Sequence, residues 1–180
     1  MAEEVLGIGP GLGQHPDTQQ ALHDMLSQVT LPMVLDADAL NILSLHPEWL
    51  SLLPAGSILT PPPGEMKRLG GDVQPLVDRG LVVVLKGHQT HIYDQHCCFI
   101  NDLHGNAGMA VGGSGDVLTG IILALLAQHY PPQQAAVLGV WLHAFAADQA
   151  LSDHNSMESL LPSDIIAHLG EAFNLSRKSM

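Results

Sequence analysis

Basic side chains are scarce in this chain. Only 6 of its 180 residues are Lys or Arg, against 18 Asp or Glu, and the formal net charge is -12. Nucleic acids and anionic membranes are bound through clustered cations, so neither is expected as a partner. Cysteine is nearly absent too: Cys97 and Cys98 are sequence neighbours, which suggests no disulfide scaffold and a reducing compartment, the cytoplasm. The first residues, MAEEVLGIGPG, contain neither a basic segment nor a long apolar core, so no signal peptide is expected. The apolar run Val117 to Ala127 falls short of the roughly 20 residues a bilayer span requires and reads as a buried helix. No glycine run is followed by GK[ST], and GGSGD lacks the G-x-S-x-G arrangement of a nucleophile elbow. His88, His91, His96 and His104 lack metal-ligand spacing, so zinc is not expected. Without repeats, low-complexity segments or a linker, residues 1–180 read as one domain.

What the chain does have is NAGMAVGGSGD, Asn106 to Asp116, running directly into VLTGIILALLAQ. Glycines let the backbone turn sharply and present its N–H groups at close range. The first turn of the following helix adds unpaired donors and a positive dipole end, making a cradle for an anion. A carboxylate beside such a cradle suits proton removal from a hydroxyl undergoing phosphorylation. Asp116 is therefore expected to face those main-chain donors.

Strand and helix signals alternate through the first half. Val5 to Ile8 is a short strand leading into GPGLG, and Thr18 is expected to cap a helix reaching about Val29. MVLD, SILT and LVVVL read as buried parallel strands that end in DADALN, TPPPGE and KGHQT. Ile42 to Leu53 reads as a helical piece and a loop, and Glu65 to Leu69 as a helix start. The connection from Leu69 to Gly80 is near the minimum for a crossover. Thr90 to Tyr93 and Cys97 to Ile100 are expected to form a ribbon around DQH. Helices follow: the run after Asp116, an alanine-rich segment from Pro131 to about Ser152, and a last helix capped by Ser163. The tail SRKSM is expected to fray. The fold class is thus α/β, a mostly parallel central sheet flanked by helices with a C-terminal helical portion.

The endings of parallel strands share one sheet edge, so GPGLG, DADALN, TPPPGE, KGHQT and GGSGD point to one ligand crevice. Lys86 is expected to meet a phosphate or a strand-end carbonyl. Asp36 and Asp38 are expected to cap the following turn, with a magnesium–water shell as the alternative. Glu65 serves either magnesium or its helix N-terminus. His143 reads as a hydrogen-bonded core histidine, and Met109 as packing or the lining of a ring site.

In this order, GIGPGLG, LDADALN, LTPPPGE, VVVLKGHQT and GNAGMAVGGSGDVLTGIILALL resemble the ADP- or ATP-dependent NAD(P)H-hydrate dehydratase family, over Val5 to about Phe173. The resemblance implies a ribokinase-like fold and a metabolite-repair lyase acting on hydrated NADH or NADPH. Its hydroxyl is phosphorylated from ADP or ATP with Mg²⁺, and phosphate is then expelled. Asp116 matches the catalytic base. Lys86, Gly87, His88, Gln89 and Thr90, with Asn106, Ala107, Gly108, Met109, Ala110, Val111, Gly112, Gly113, Ser114 and Gly115, match the segments that bind the adenine nucleotide. Gly13, Gly64, Glu65 and Arg68, along with Asp116, match positions lining the hydrated cofactor. The resemblance also implies a homo-oligomer. Three departures stand out: the chain starts almost at GIGPGLG and so is expected to lack the N-terminal part of the domain, Pro62 stands where the family has histidine, and the connection from Leu69 to Gly80 is short. Two other readings stay open, a ribokinase-like kinase of a small hydroxylated metabolite and a truncated adenine-nucleotide-binding protein with little activity.

Overall fold

Alternating apolar residues on short strands create two cores, one on each face of a single sheet. The computed structural model describes residues 5–153 and 156–178. Strands β1 (Leu6–Ile8), β2 (Met33–Leu35), β3 (Ile58–Leu59) and β4 (Val82–Leu85) run parallel in sequence order, and β5 (Thr90–Tyr93) and β6 (Cys98–Asn101) extend the sheet as an antiparallel ribbon. The register places Leu6 beside Met33, Val34 beside Ile58, Ile58 beside Val82, and Val84 beside Ile92.

One face carries α1 (Pro16–Leu26), α2 (Ala37–Leu45), a 3₁₀ turn (Pro47–Leu52), α3 (Pro63–Arg68) and α4 (Gln74–Val77). Met33, Leu35, Leu59, Leu81 and Val83 point into this core with Leu22, Leu40, Leu43 and Met66. The other face carries α5 (Ser114–Leu126), α6 (Pro132–Ser152) and α7 (Pro162–Lys178). There Val34, Ile58, Val82, Val84 and Ile92 meet Leu118, Ile122, Leu125, Val140 and Ile165. Burial on both faces explains why these strands read as unbroken apolar runs. Among the described residues no helix is long and apolar enough to cross a membrane.

Several boundaries differ from the sequence expectation. Helix α1 starts at Pro16, whose ring presets φ for a first turn, and His15 rather than Thr18 is its N-cap, with Nδ1 accepting from the Asp17 N–H at 3.3 Å. It stops at Leu26, where the Ser27 hydroxyl donates back to the His23 carbonyl. DADALN is helical: α2 starts at Ala37, whose φ of +49° makes a tight exit from β2. The crossover from β3 to β4 is made by two short helices, α3 and α4. Pro131 is the N-cap of α6, and α7 starts at Pro162, leaving Ser163 inside while the Asp164 carboxylate accepts the Leu161 N–H. Ser176 lies in α7 instead of fraying; residues 179–180, like residues 1–4, lie outside those described. β6 begins at Cys98 because Asp94 Oδ1 accepts the N–H groups of His96 and Cys97 in the turn.

Gly9 is a point of close approach between backbones. Its φ is +134°, and a Cβ there would stand 1.7 Å from the Asp36 carbonyl oxygen. Gly9→Ala is expected to cost about 2–4 kcal/mol, read from denaturant unfolding, because neither backbone can move aside without shifting a strand end.

Candidate functional site

The carboxyl ends of the four parallel strands deliver their loops to one edge of the sheet, where an ion pair between a buried carboxylate and a partly exposed lysine ties them together. Lys86, at the end of β4, donates from Nζ to Asp36 Oδ1 at 2.8 Å. The hydroxyl of Thr119 on α5 donates to Asp36 Oδ2, also at 2.8 Å. Asp36 is only 1% exposed. It occupies the N-cap position of α2, yet its side chain makes no capping bond. The expectation of a capping aspartate is thereby corrected: a buried carboxylate takes the charged donor from across the sheet. Lys86, expected to meet a phosphate or carbonyl, has this carboxylate as its partner. Asp38 does not cap either. It accepts from Gln14 Nε2 (2.9 Å) and the Gly13 N–H (2.8 Å), which hold its carboxyl below the usual carboxylate range.

A cleft of about 770 Å³ opens between the β4–β5 ribbon, the loop before α5, and α6. Of the residues matched to a nucleotide, Lys86, Gly87, His88, Thr90, Asn106, Ala107, Met109, Ala110, Val111, Ser114 and Gly115 line it; Gln89, Gly108, Gly112 and Gly113 do not. Gly108 is buried, and a Cβ on it would stand 2.7 Å from the Met157 carbonyl oxygen. Gly113 takes φ +91° as the N-cap of α5. Helix geometry leaves the amides of Gly115 and Asp116 without intrahelical acceptors. A Cβ at Gly115 would stand 3.2 Å from Lys86 Nζ, so the ammonium lies against the helix start. Pro62, in the place of the expected histidine, lines the cleft along with Pro63.

The rest of the lining was missed in the sequence: Asn101, His104, Gly105, Leu118, Val140, His143 and Ala144. Val140, His143 and Ala144 recur at helical spacing on α6, a signal for one helix face but not for a ligand. His143 is, as its sequence context suggested, a hydrogen-bonded core histidine. It is 6% exposed, and Nε2 lies 3.3 Å from Ser114 Oγ.

The other matched positions lie elsewhere along the rim. Glu65 Oε2 is buried and has no hydrogen-bond partner, and desolvation pushes its carboxyl up while Lys86 opposes the shift. Arg68 donates through Nε and Nη2 to Asn41 Oδ1, at 3.1 and 2.7 Å. Added Cβ atoms at Gly13 or Gly64 would meet nothing within 4 Å. Asp116 lies outside the cleft lining. It was expected to face the main-chain donors, but it is exposed and lines a separate groove between α5 and α7 with Ile166, Leu169 and Phe173. Consecutive helical residues diverge by about 100°, so a helix that turns Ser114 inward carries Asp116 to another side.

An α/β sheet with its glycine-rich helix start at the carboxyl edge, and an α-helical layer on each face, is a ribokinase-like fold. The chain belongs to the NAD(P)H-hydrate dehydratase family, whose model matches residues 2–170. It is 44% identical over 184 residues to a bifunctional NAD(P)H-hydrate repair enzyme of Vibrio cholerae, covering 95% of this chain and 36% of that one. It is 40% identical over 189 residues to the ADP-dependent (S)-NAD(P)H-hydrate dehydratase of Neisseria meningitidis, covering 96% and 64%. Among solved structures, it resembles the ADP/ATP-dependent NAD(P)H-hydrate dehydratase of Bacillus subtilis co-crystallized with ATP/Mg²⁺, with 32% identity, a TM-score of 0.74, and coverage of 94% of this chain and 64% of that one. The chain thus spans about a third of the bifunctional relative and just under two thirds of the other two.

Removing Lys86 would leave Asp36 charged and buried with Thr119 as its remaining side-chain donor. Lys86→Met is expected to cost about 3 kcal/mol or more in chemical denaturation, and adding Asp36→Asn to recover much of that loss. Acid acts through His143, whose imidazole burial pushes down from 6.5 to about 4. The folded state resists the proton that the unfolded chain accepts, so stability is full above pH 6.5 and declines toward pH 4. About 3 kcal/mol is involved, and His143→Gln is expected to flatten that part of the stability–pH curve.

Proposed function

We propose that this chain binds ADP or ATP in the cleft and uses it to dehydrate hydrated NADH or NADPH, returning the reduced cofactor. The observation that carries this reading is the meeting of Lys86, the open amides of the α5 start and the α6 wall around one cleft of nucleotide size. Family membership and the Neisseria and Bacillus relatives support the choice of reaction and phosphoryl donor. As to location, the exposed free thiols of Cys97 and Cys98 suit the reducing cytoplasm. We read the described residues as parts of a single domain.

The Gly115 amide and the dipole of α5 suit the transferring phosphoryl group, with Lys86 adding positive charge from the β4 end. Among the described residues no three His, Cys, Asp or Glu gather as a metal site. Glu65, with its buried unpartnered oxygen, fits the one or two carboxylates that a nucleotide-borne magnesium asks for; bound there, the ion would neutralise phosphate charge. Asp116 follows the cleft-lining Gly115 in the first turn of α5 and is open to solvent, and it is assigned the proton of a substrate hydroxyl approaching from outside the cleft. The hydroxyl oxygen then bonds to the terminal phosphorus as the bond to the departing nucleotide breaks. Phosphate leaves with the former hydroxyl oxygen, driven by the ring nitrogen lone pair, and the neighbouring ring carbon gives up a proton to complete the double bond.

The exposure of Asp116 outside the cleft favours a second reading, nucleotide binding with little catalysis. One assay separates the two. The protein is given hydrated NADH, Mg²⁺ and either ADP or ATP, and NADH absorbance and phosphate are followed together. Return of NADH with equimolar phosphate supports the dehydratase; nucleotide binding without either product supports the second reading. Asp116→Asn is expected to lower turnover by about 10²–10⁴ while leaving nucleotide affinity unchanged, and a parallel loss of both would count against the base assignment.

A further inference from the structure

The helix that walls the cleft carries a carboxylate that the proposed reaction does not use. Asp148 of α6 is half-buried and accepts from His104 Nδ1 (3.2 Å), the Gly105 N–H (3.0 Å) and Asn106 Nδ2 (3.0 Å). Asn106 passes the constraint onward, because its Oδ1 accepts the Gly108 N–H at 3.1 Å and caps the 3₁₀ turn Ala107–Met109. His104 is held from two further sides. Its ring sits edge-on to Trp141 and Phe145, and its carbonyl accepts from Asn101 Nδ2. The far end of the same loop is fastened to α6 as well, through Ser114 and His143.

A glycine-rich loop that becomes ordered only when a ligand arrives subtracts its ordering entropy from affinity, whereas a loop already held does not. We infer that Asp148 is a positioning residue for nucleotide binding: without touching the nucleotide, it holds Gly105 to Met109 in the shape that forms the cleft wall. The inference rests on reading the cleft as the nucleotide site. A carboxylate suits the task because an ionised Asp is purely an acceptor, with lone pairs enough for all three donors. An asparagine of equal size keeps one acceptor oxygen and must turn its NH₂ group toward at least one of these donors.

The test is titration of wild type, Asp148→Ala and Asp148→Asn with Mg²⁺–ADP and Mg²⁺–ATP, beside the melting temperature of each protein without nucleotide. Both variants are expected to lose roughly tenfold or more in nucleotide affinity, with the melting temperature of Asp148→Asn near that of wild type. In turnover the loss should fall on KM for the nucleotide and leave kcat in place, a split that general destabilisation would not produce. Wild-type affinity in a folded variant overturns the inference, and so does unfolding of both variants, which would make Asp148 a purely structural residue. If Asp148→Ala alone fails to fold, Asp148→Asn decides. A wild-type protein that binds neither nucleotide overturns the reading of the cleft and this inference with it, whereas equal binding by wild type and variants overturns this inference alone.

Discussion

The pairing of the buried Asp36 carboxylate with Lys86 is the contact on which the carboxyl edge of the sheet depends. A carboxylate taken out of water repays its desolvation only when its ion pair has good geometry and its remaining lone pairs are satisfied. Both conditions are met, since Thr119 of α5 fills the second carboxylate oxygen. The pair therefore fixes more than two side chains. It ties β2 to β4 across the intervening β3, and it secures the start of α5 to both. Neighbouring backbone is fitted around it, with Gly9 against the Asp36 carbonyl and Gly115 against the Lys86 ammonium. A methyl group at Gly9 would occupy the space of the Asp36 main chain, and one at Gly115 would crowd the Lys86 ammonium.

This arrangement divides the rim into two chemically distinct sides. Toward α6, the cleft combines main-chain amides with the apolar surfaces of Met109, Leu118, Val140 and Ala144, a lining suited to a molecule with an anionic end and a flat apolar end. Toward α2 and α3, the groups are carboxylates and their partners: Asp38 bound by Gly13 and Gln14, Arg68 bound to Asn41, and Glu65 with an oxygen left over. Most polar groups here already have partners, so Glu65 is distinctive. Its carboxyl resists ionisation because burial strips its water without supplying a donor.

Local pattern carried a large part of this fold. MVL, SILT and LVVVL could be placed as buried strands because two-sided burial leaves no room for polar alternation, and the ribbon and the three C-terminal helices followed from periodicity and turn residues. The gathering of strand-end loops followed from parallel topology alone. Long-range pairing is what the sequence withheld. Nothing local marks Asp36 as the partner of Lys86, 50 residues on, or His104 as the partner of Asp148, 44 residues on. DADALN was misread because its helix begins with no interval after the strand, through the positive φ of Ala37. The placement of Asp116 outside the cleft was hidden for another reason: it depends on the rotation of α5 about its own axis, which long-range contacts fix and no local pattern shows.

Because Asp148 and His143 sit on one rigid helix, α6 acts as a ruler for the loop it grips at both ends. The axial offset between the two anchors is about 7.5 Å of helix rise, set by hydrogen-bonded backbone and not by the loop. Residues added to or removed from the intervening glycine-rich stretch would leave its two attachment points where they are. The change would have to be absorbed as a bulge or a tightening between them. The length of this loop can thus alter the height of the wall over a ligand, while the footing of that wall stays constant.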